Sequence, residues 1–513
     1  MPSTAPDRTS QSGGEAKNLV TPRFRLVLIW ILFSAANYGY GISELNALQP
    51  ILTCRSRNPA ILTEQSPITT GCIPLTESQF GLATSLFTLG GLFSSFLISP
   101  ISKTLSWGRK TCITSSAIAG ILGSLILSSS STLFGLGAGR FIQGVGSGVG
   151  VVMVPIFLNE ISPVSLKGSI GVLNQFSIVM GIFLAQAIGA SKLGEDGTWW
   201  RAVPAVSGVL SVLQFVGSYT GGLESPGWLE GEGRSASGST GIGAKDAADE
   251  VRAHLWSAKE LQSWKETRRT TVSRSSGSDE ERQGLLSETE ADTDTDGAET
   301  SSNDRTQTTL PQLFTDPEVR AGTILVILTQ LGQQLSGINA VLYYSVGILG
   351  SILPSLAGSI AILITVINIV MTFPPIYLID EHRVGRKNLM VGSALTMAAA
   401  SAFLGAGIVW GYKVLSAICM VLMVAGFSFG LGPIPFVILP EIVPSRAVST
   451  ATSLGLTLNW TANFIVGSAF LAIKNYLAGY DSNHTGGAVF WIFAASNLVT
   501  AIIVVKMYGY KPE

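Results

Sequence analysis

The stretch QLGQQLSGINAVLYYS, Gln330 to Ser345, decides how the rest of the chain is read. It lies in an apolar run from about Ala321 to Leu349, long enough to cross a bilayer. Yet the run carries four uncharged amides, Gln330, Gln333, Gln334 and Asn339, at helical offsets that place them on one side. Amides both donate and accept hydrogen bonds without the cost of a buried charge, which suits a neutral polyol as partner. The alternative use of such amides is to bind membrane helices to one another. Ser336-Gly337 weakens the helix just where the main group of amides ends.

Outward from this stretch the chain is apolar. Of its 513 residues 47% are hydrophobic and 13% charged, against about a quarter charged in soluble domains. Mean hydropathy is +0.42, the value of a polytopic membrane protein. The net charge of −1 and the lack of a basic cluster give nucleic acid no role. Four cysteines are too few for a metal or disulfide scaffold. The histidines fall in polar segments, so neither a metal site nor a cofactor is expected. The polar first 24 residues hold no cleavable signal, so the first membrane helix serves as its own.

Membrane-length apolar runs recur at about 26–52, 80–99, 111–128, 133–158, 170–190 and 202–222. A second set follows at about 321–349, 360–379, 389–409, 415–439, 449–473 and 489–505. The two sets repeat each other. Gly108-Arg109-Lys110 follows the second run and Gly385-Arg386-Lys387 the eighth. Glu160-Ile-Ser-Pro follows the fourth run and Glu441-Ile-Val-Pro the tenth. Arg109 and Glu160 stand 51 residues apart, Arg386 and Glu441 55. This register predicts an all-α integral membrane protein of twelve transmembrane helices in two six-helix halves, residues 25–222 and 313–506. A tail precedes them (1–24), a short one follows (507–513), and a largely disordered loop separates them (223–312), with a short helix near 247–268.

Basic residues in short loops favour both termini in the cytoplasm, with Arg140 counted on the opposite side. Cys54 and Cys72 then share the first outer loop and are a disulfide candidate; Asn483 heads a glycosylation sequon in the last. Glu281, Leu285 and Leu286 form an acidic dileucine, a signal that a sorting adaptor reads. It favours a vacuolar or lysosomal membrane, with the plasma membrane as the alternative.

GQQLSGINAVLYYS closely resembles the seventh-helix motif of the sugar porter branch of the major facilitator superfamily, which includes the facilitative glucose transporters. The resemblance extends to Gly139-Arg140-Phe141, Asn174-Gln175, Glu224-Ser225-Pro226, Gly430-Leu-Gly-Pro-Ile-Pro-Phe436 and Asn459-Trp460. It implies the major facilitator fold, a monomer in the lipid bilayer, and a monosaccharide moved by alternating access. The implied sugar contacts are Gln175, Ile178, Gln330, Gln333, Gln334, Asn339, Asn368 and Asn459, with Phe436 and Trp460 as apolar faces for the ring. Pro433 and Pro435 are the implied hinge of the tenth helix. The implied cytoplasmic gate is Arg109, Glu160, Lys167, Arg386, Glu441 and Arg446. Several gate positions depart from the family: Leu105, His382, Gly227 and Val448 stand where a charged or amide residue is usual, and the closing PETKG motif is missing. A sugar-binding sensor on the same fold is therefore the alternative to a transporter. Proton-coupled members carry an Asp where Gly41 stands here. Glu44, one turn further, is the candidate for that role; counted along the helix it falls near the far edge of the bilayer, where it could also face water. Uniport and proton coupling both stay open.

Overall fold

The computed structural model describes residues 19–54, 73, 75–163, 166–191, 199–230, 241–268, 308–353, 356–378, 384–479 and 486–508. Among these, ten helices are long and apolar enough to cross a membrane, and two shorter apolar helices complete a set of twelve. The first half comprises α1 (Pro22–Ser43), α2 (Glu77–Thr104), α3 (Arg109–Ser129), α4 (Leu133–Ile161), α5 (Lys167–Gly189) and α6 (Ala202–Thr220). In the second half α7a (Pro317–Leu335) and α7b (Ile338–Ile352) share one span, followed by α8 (Ala357–Met371) and α9 (Arg386–Val409). The tenth span is α10a (Lys413–Gly426), a π-helical turn at Phe427–Leu431, and α10b (Ile434–Ile442). Helices α11 (Ser445–Ala478) and α12 (Val489–Met507) complete the half.

Four spans differ from uninterrupted rods: the eighth breaks at Thr372-Phe373 ahead of the short helix Pro374–Leu378, where the prolines cannot continue the ladder, and three others break for local reasons of their own. The first ends at Ser43 and passes through turns into a short helix, Gln49–Leu52, instead of running straight to Leu52. The seventh breaks at Ser336-Gly337, where Gly337 takes φ +84°, a conformation that favours glycine. The tenth is interrupted by the π turn and by Pro433, which lacks the donor that a continuous helix needs.

Helix crossings are tight enough to exclude side chains. A Cβ at Gly39 of α1 would lie 1.8 Å from the carbonyl oxygen of Ile178 on α5. Without a hydrophobic drive between helices in lipid, such backbone approach is how dispersion contacts accumulate. The halves share one core at the end of the bundle away from the termini, where Tyr40, Leu45 and Leu48 pack with Tyr343, Tyr344 and Phe470. At the opposite end each half has cores of its own: Phe24, Trp30 and Phe157 in the first, Leu313 and Val319 or Leu389 and Ile434 in the second.

The segment between the halves is partly folded. Helices at Gly241–Leu255 and 258–268 lie against the base of the first half. Val20 pairs with Trp256 in an antiparallel bridge, Thr21 N donates to Leu255 O at 3.0 Å and Ser257 N to Leu19 O at 3.0 Å. Trp256 Nε1 caps the end of α4 through Ile161 O at 2.7 Å. Arg252 joins Glu230 at 2.7 Å and lies 4.3 Å from the Trp264 ring centre. The short helix expected near 247–268 is thus a helix pair clasped to the chain's N-terminal segment.

Candidate functional site

The helix break at Ser336-Gly337 gathers the amides. Gln330, Gln333 and Gln334 lie in the last turns of α7a, Asn339 in the first turn of α7b, and Asn459 faces them from α11; all five are buried. Asn459 Nδ2 donates to Gln330 Oε1 and to Gln333 Oε1, each at 2.8 Å. Gln334 Nε2 donates to Asn459 Oδ1 at 2.9 Å, and Asn339 Nδ2 donates to Gln334 Oε1. Gln333 Nε2 reaches the carbonyls of Leu431 and Gly432, both at 2.8 Å, beside the irregular part of the tenth span. The network thus ties the two broken spans to α11. One donor, Gln330 Nε2, is buried with no hydrogen-bond partner.

The remaining expected contacts are dispersed. Asn368 on α8 is buried and accepts from Ser428 Oγ at 2.7 Å, a separate pair. Gln175 and Ile178 are half-buried on α5; between them Phe176 meets Phe373 across the halves at 5.7 Å. Trp460 is buried edge-on to Tyr38 at 5.8 Å and lies over Gly91, whereas Phe436 is 46% exposed. The two rings therefore do not form the shared apolar wall expected of them. Pro433 and Pro435 do sit at the interruption of the tenth span.

The first half holds a polar cluster of another kind. Glu44 is fully buried, and its Oε1 accepts from Arg140 Nη1 at 2.6 Å. It does not face water at the bilayer edge, and Arg140 is not a loop residue: it lies inside α4 with no exposure. Arg140 also donates to Gly41 O at 2.7 Å and stacks on Phe87 at 4.5 Å. Gln143 Nε2 bonds Glu44 Oε2 at 3.2 Å and Ser207 Oγ at 2.9 Å, and Ser207 donates to Asn37 Oδ1 at 3.0 Å. A buried pair is tolerated when most of its leftover polar atoms are bonded in this way; among the described residues Arg140 Nε is left without a partner. A basic residue near the start of an apolar run, with Leu-Gly-Ala-Gly before it, was the available signal for Arg140.

Of the gate residues, Arg109 Nη2 lies 3.4 Å from Glu160 Oε1, and Ser225 Oγ donates to Glu160 Oε2. The Glu160 carboxyl occupies the space beside Gly227, where a Cβ would approach it to 2.7 Å. That explains locally how glycine is accommodated in place of the family's arginine. Burial raises the carboxyl of neighbouring Glu224 above its ordinary range, partly offset by bonds from Ser225 N and Lys110 N. Lys167 is exposed and forms no ion pair among the described residues. Arg386 is half-buried at the start of α9. The side chains of Glu441 and Arg446 lie outside the described residues, as do Cys72, Asn483, Glu281, Leu285 and Leu286. Cys54 is disulfide-bonded, while Cys112 and Cys419 are buried and take no part in a disulfide.

The family model for "Sugar (and other) transporter" matches residues 26–509. The chain belongs to the sugar transporter family. A probable metabolite transport protein of Saccharomyces cerevisiae is 31% identical over 99% of this chain and 96% of its own length. The bovine facilitated glucose transporter member 4 is 30% identical over 94% of this chain and 88% of that one. The fold matches the partially occluded, inward-open xylose transporter XylE of E. coli, with a TM-score of 0.64 and 19% identity over 96% of this chain and all of that one. This family member is thus a multi-pass integral membrane protein with the major facilitator fold.

Proposed function

We propose that the protein moves a neutral, hexose-like monosaccharide across its membrane by alternating access. The observation that carries this reading is the buried, uncharged amide network at the broken seventh helix. Sugar hydroxyls can replace its internal bonds one for one, and Gln330 Nε2 offers a donor already free. The breaks at Gly337 and Pro433 supply joints on either side of the network. Arg109 with Glu160 serves as the gate at the end carrying the termini, which the basic-residue count assigns to the cytoplasm. The dileucine at Leu285-Leu286 supports a vacuolar address, where the outer loops would face the lumen. Uptake of labelled sugar into proteoliposomes tests the reading: accumulated counts above empty vesicles support transport, whereas saturable binding without uptake would make the protein a sensor.

A second reading concerns energy. The Glu44–Arg140 pair favours proton coupling over uniport, because a carboxylate buried between α1 and α4 is the kind of group that a proton can release from its partner. An imposed pH gradient should then drive uptake. Uptake indifferent to the gradient would leave a uniporter in which the pair is a structural tie.

A further inference from the structure

We propose that Asn497, on the last helix, is the positioning residue that anchors the seventh-helix hinge; the inference rests on the transport reading only for what the hinge does. The turn at Gly337 removes Ser336 from the helical ladder, leaving its carbonyl without a ladder partner. Asn497 Nδ2 donates to that carbonyl at 3.1 Å, and to Phe493 O at 2.9 Å. Both partners are acceptors, so the amide orientation is fixed, and its Oδ1 is left buried without a partner. Asn497 itself has no exposure.

The surrounding face of α12 is built for the same contact. Phe493, Asn497 and Thr500 stand four and three residues apart, on one side of the helix. A Cβ at Gly337 would meet the Phe493 ring at 2.5 Å, and one at Gly332 would meet Thr500 Oγ1 at 2.6 Å. Thus one side of α12 covers the break and the turn before it, and supplies a side-chain donor for the freed carbonyl. In lipid no water can take over that bond, so a broken backbone needs such a partner. With Asn497 in place the joint has a defined geometry; without it the Ser336 carbonyl must find another donor by unwinding neighbouring turns.

The test compares Asn497→Leu and Asn497→Gln with the parent in the full-length purified protein. Deuterium exchange over residues 336–342 should rise about tenfold in Asn497→Leu and stay within twofold of the parent in Asn497→Gln, while exchange across the first half is unchanged. Turnover per folded transporter should fall about tenfold in Asn497→Leu, with sugar Kd within twofold. Exchange at the break equal to the parent's, or a rise spread evenly over the second half, overturns the anchor. Should Asn497→Leu not fold, Asn497→Ser carries the test, with a threefold rise expected at the break and none overturning the idea. A parent that moves no sugar refutes the transport reading, while exchange still decides the hinge.

Discussion

Each half of the molecule buries a polar cluster, and the two clusters solve the same problem differently. The first half uses opposite charges, Glu44 with Arg140, and surrounds them with Gln143, Ser207 and Asn37. The second uses only neutral amides, Gln330, Gln333, Gln334, Asn339 and Asn459. A charged pair gains much from its partner but cannot exchange it cheaply. An amide can trade one neutral partner for another at little net cost. On the proposed reading, the first half's cluster answers to charge and protonation, and the second half's to exchange of neutral partners such as sugar hydroxyls.

The largest effect should come from breaking the charged cluster. Arg140→Leu leaves Glu44 buried without its cation and should destabilise the first half by about 3–5 kcal/mol. Melting in detergent measures this, and Arg140→Leu with Glu44→Leu should recover much of the loss. A single variant as stable as the parent would remove the distinction between the clusters.

Next come the amides. Gln333→Ala or Asn339→Ala should weaken sugar binding by about 1–3 kcal/mol, roughly tenfold to a hundredfold, with folding retained. Equilibrium binding and uptake read the change; near-parental uptake in both variants would move the sugar site elsewhere.

A gentler change sharpens the role of the pair. Glu44→Gln still offers Arg140 an oxygen but cannot bind or release a proton in the working range. Sugar exchange should persist within a few fold, while the response to a pH gradient disappears. A retained response would place the coupling group elsewhere.

The smallest effect concerns the clasp. Partial burial pushes the Glu230 carboxyl up, but the bonds and charges of Arg252 and Arg268 outweigh this and hold it below its ordinary value. Its folded-state value is therefore the lower one. Its contribution is full above the unfolded-state pKa and is lost as pH falls through the folded-state pKa. Acidification into that range should loosen the helices at 241–268, seen as a change in Trp264 fluorescence, and Glu230→Gln should flatten the profile. An unchanged profile in that variant would show that another group governs the clasp.

Much of this architecture is legible in the residues. Hydropathy reveals the spans, the repeated Gly-Arg-Lys and Glu-Ile elements reveal the halves, and Ser336-Gly337 marks the break. The amide group is visible because its spacing is local. Arg140 is misplaced because its partner stands 96 residues away, and local hydropathy carries no trace of a distant carboxylate. The Trp256 clasp is hidden for a related reason: its acceptor is a backbone carbonyl, which every residue possesses. Trp460 and Phe436 look equivalent as aromatic residues, and only packing separates the buried ring from the exposed one.

The clasp also sets an order of events during synthesis. Thr21 and its partner Leu255 are 234 residues apart, so at about 5–20 residues per second the second follows the first by roughly 10–50 s. All six helices of the first half are synthesised before that partner exists. A ribosome paused after residue 230 would hold a nascent first half whose α4 terminus still awaits Trp256. Completion of the first half is thereby timed to the arrival of a segment beyond it.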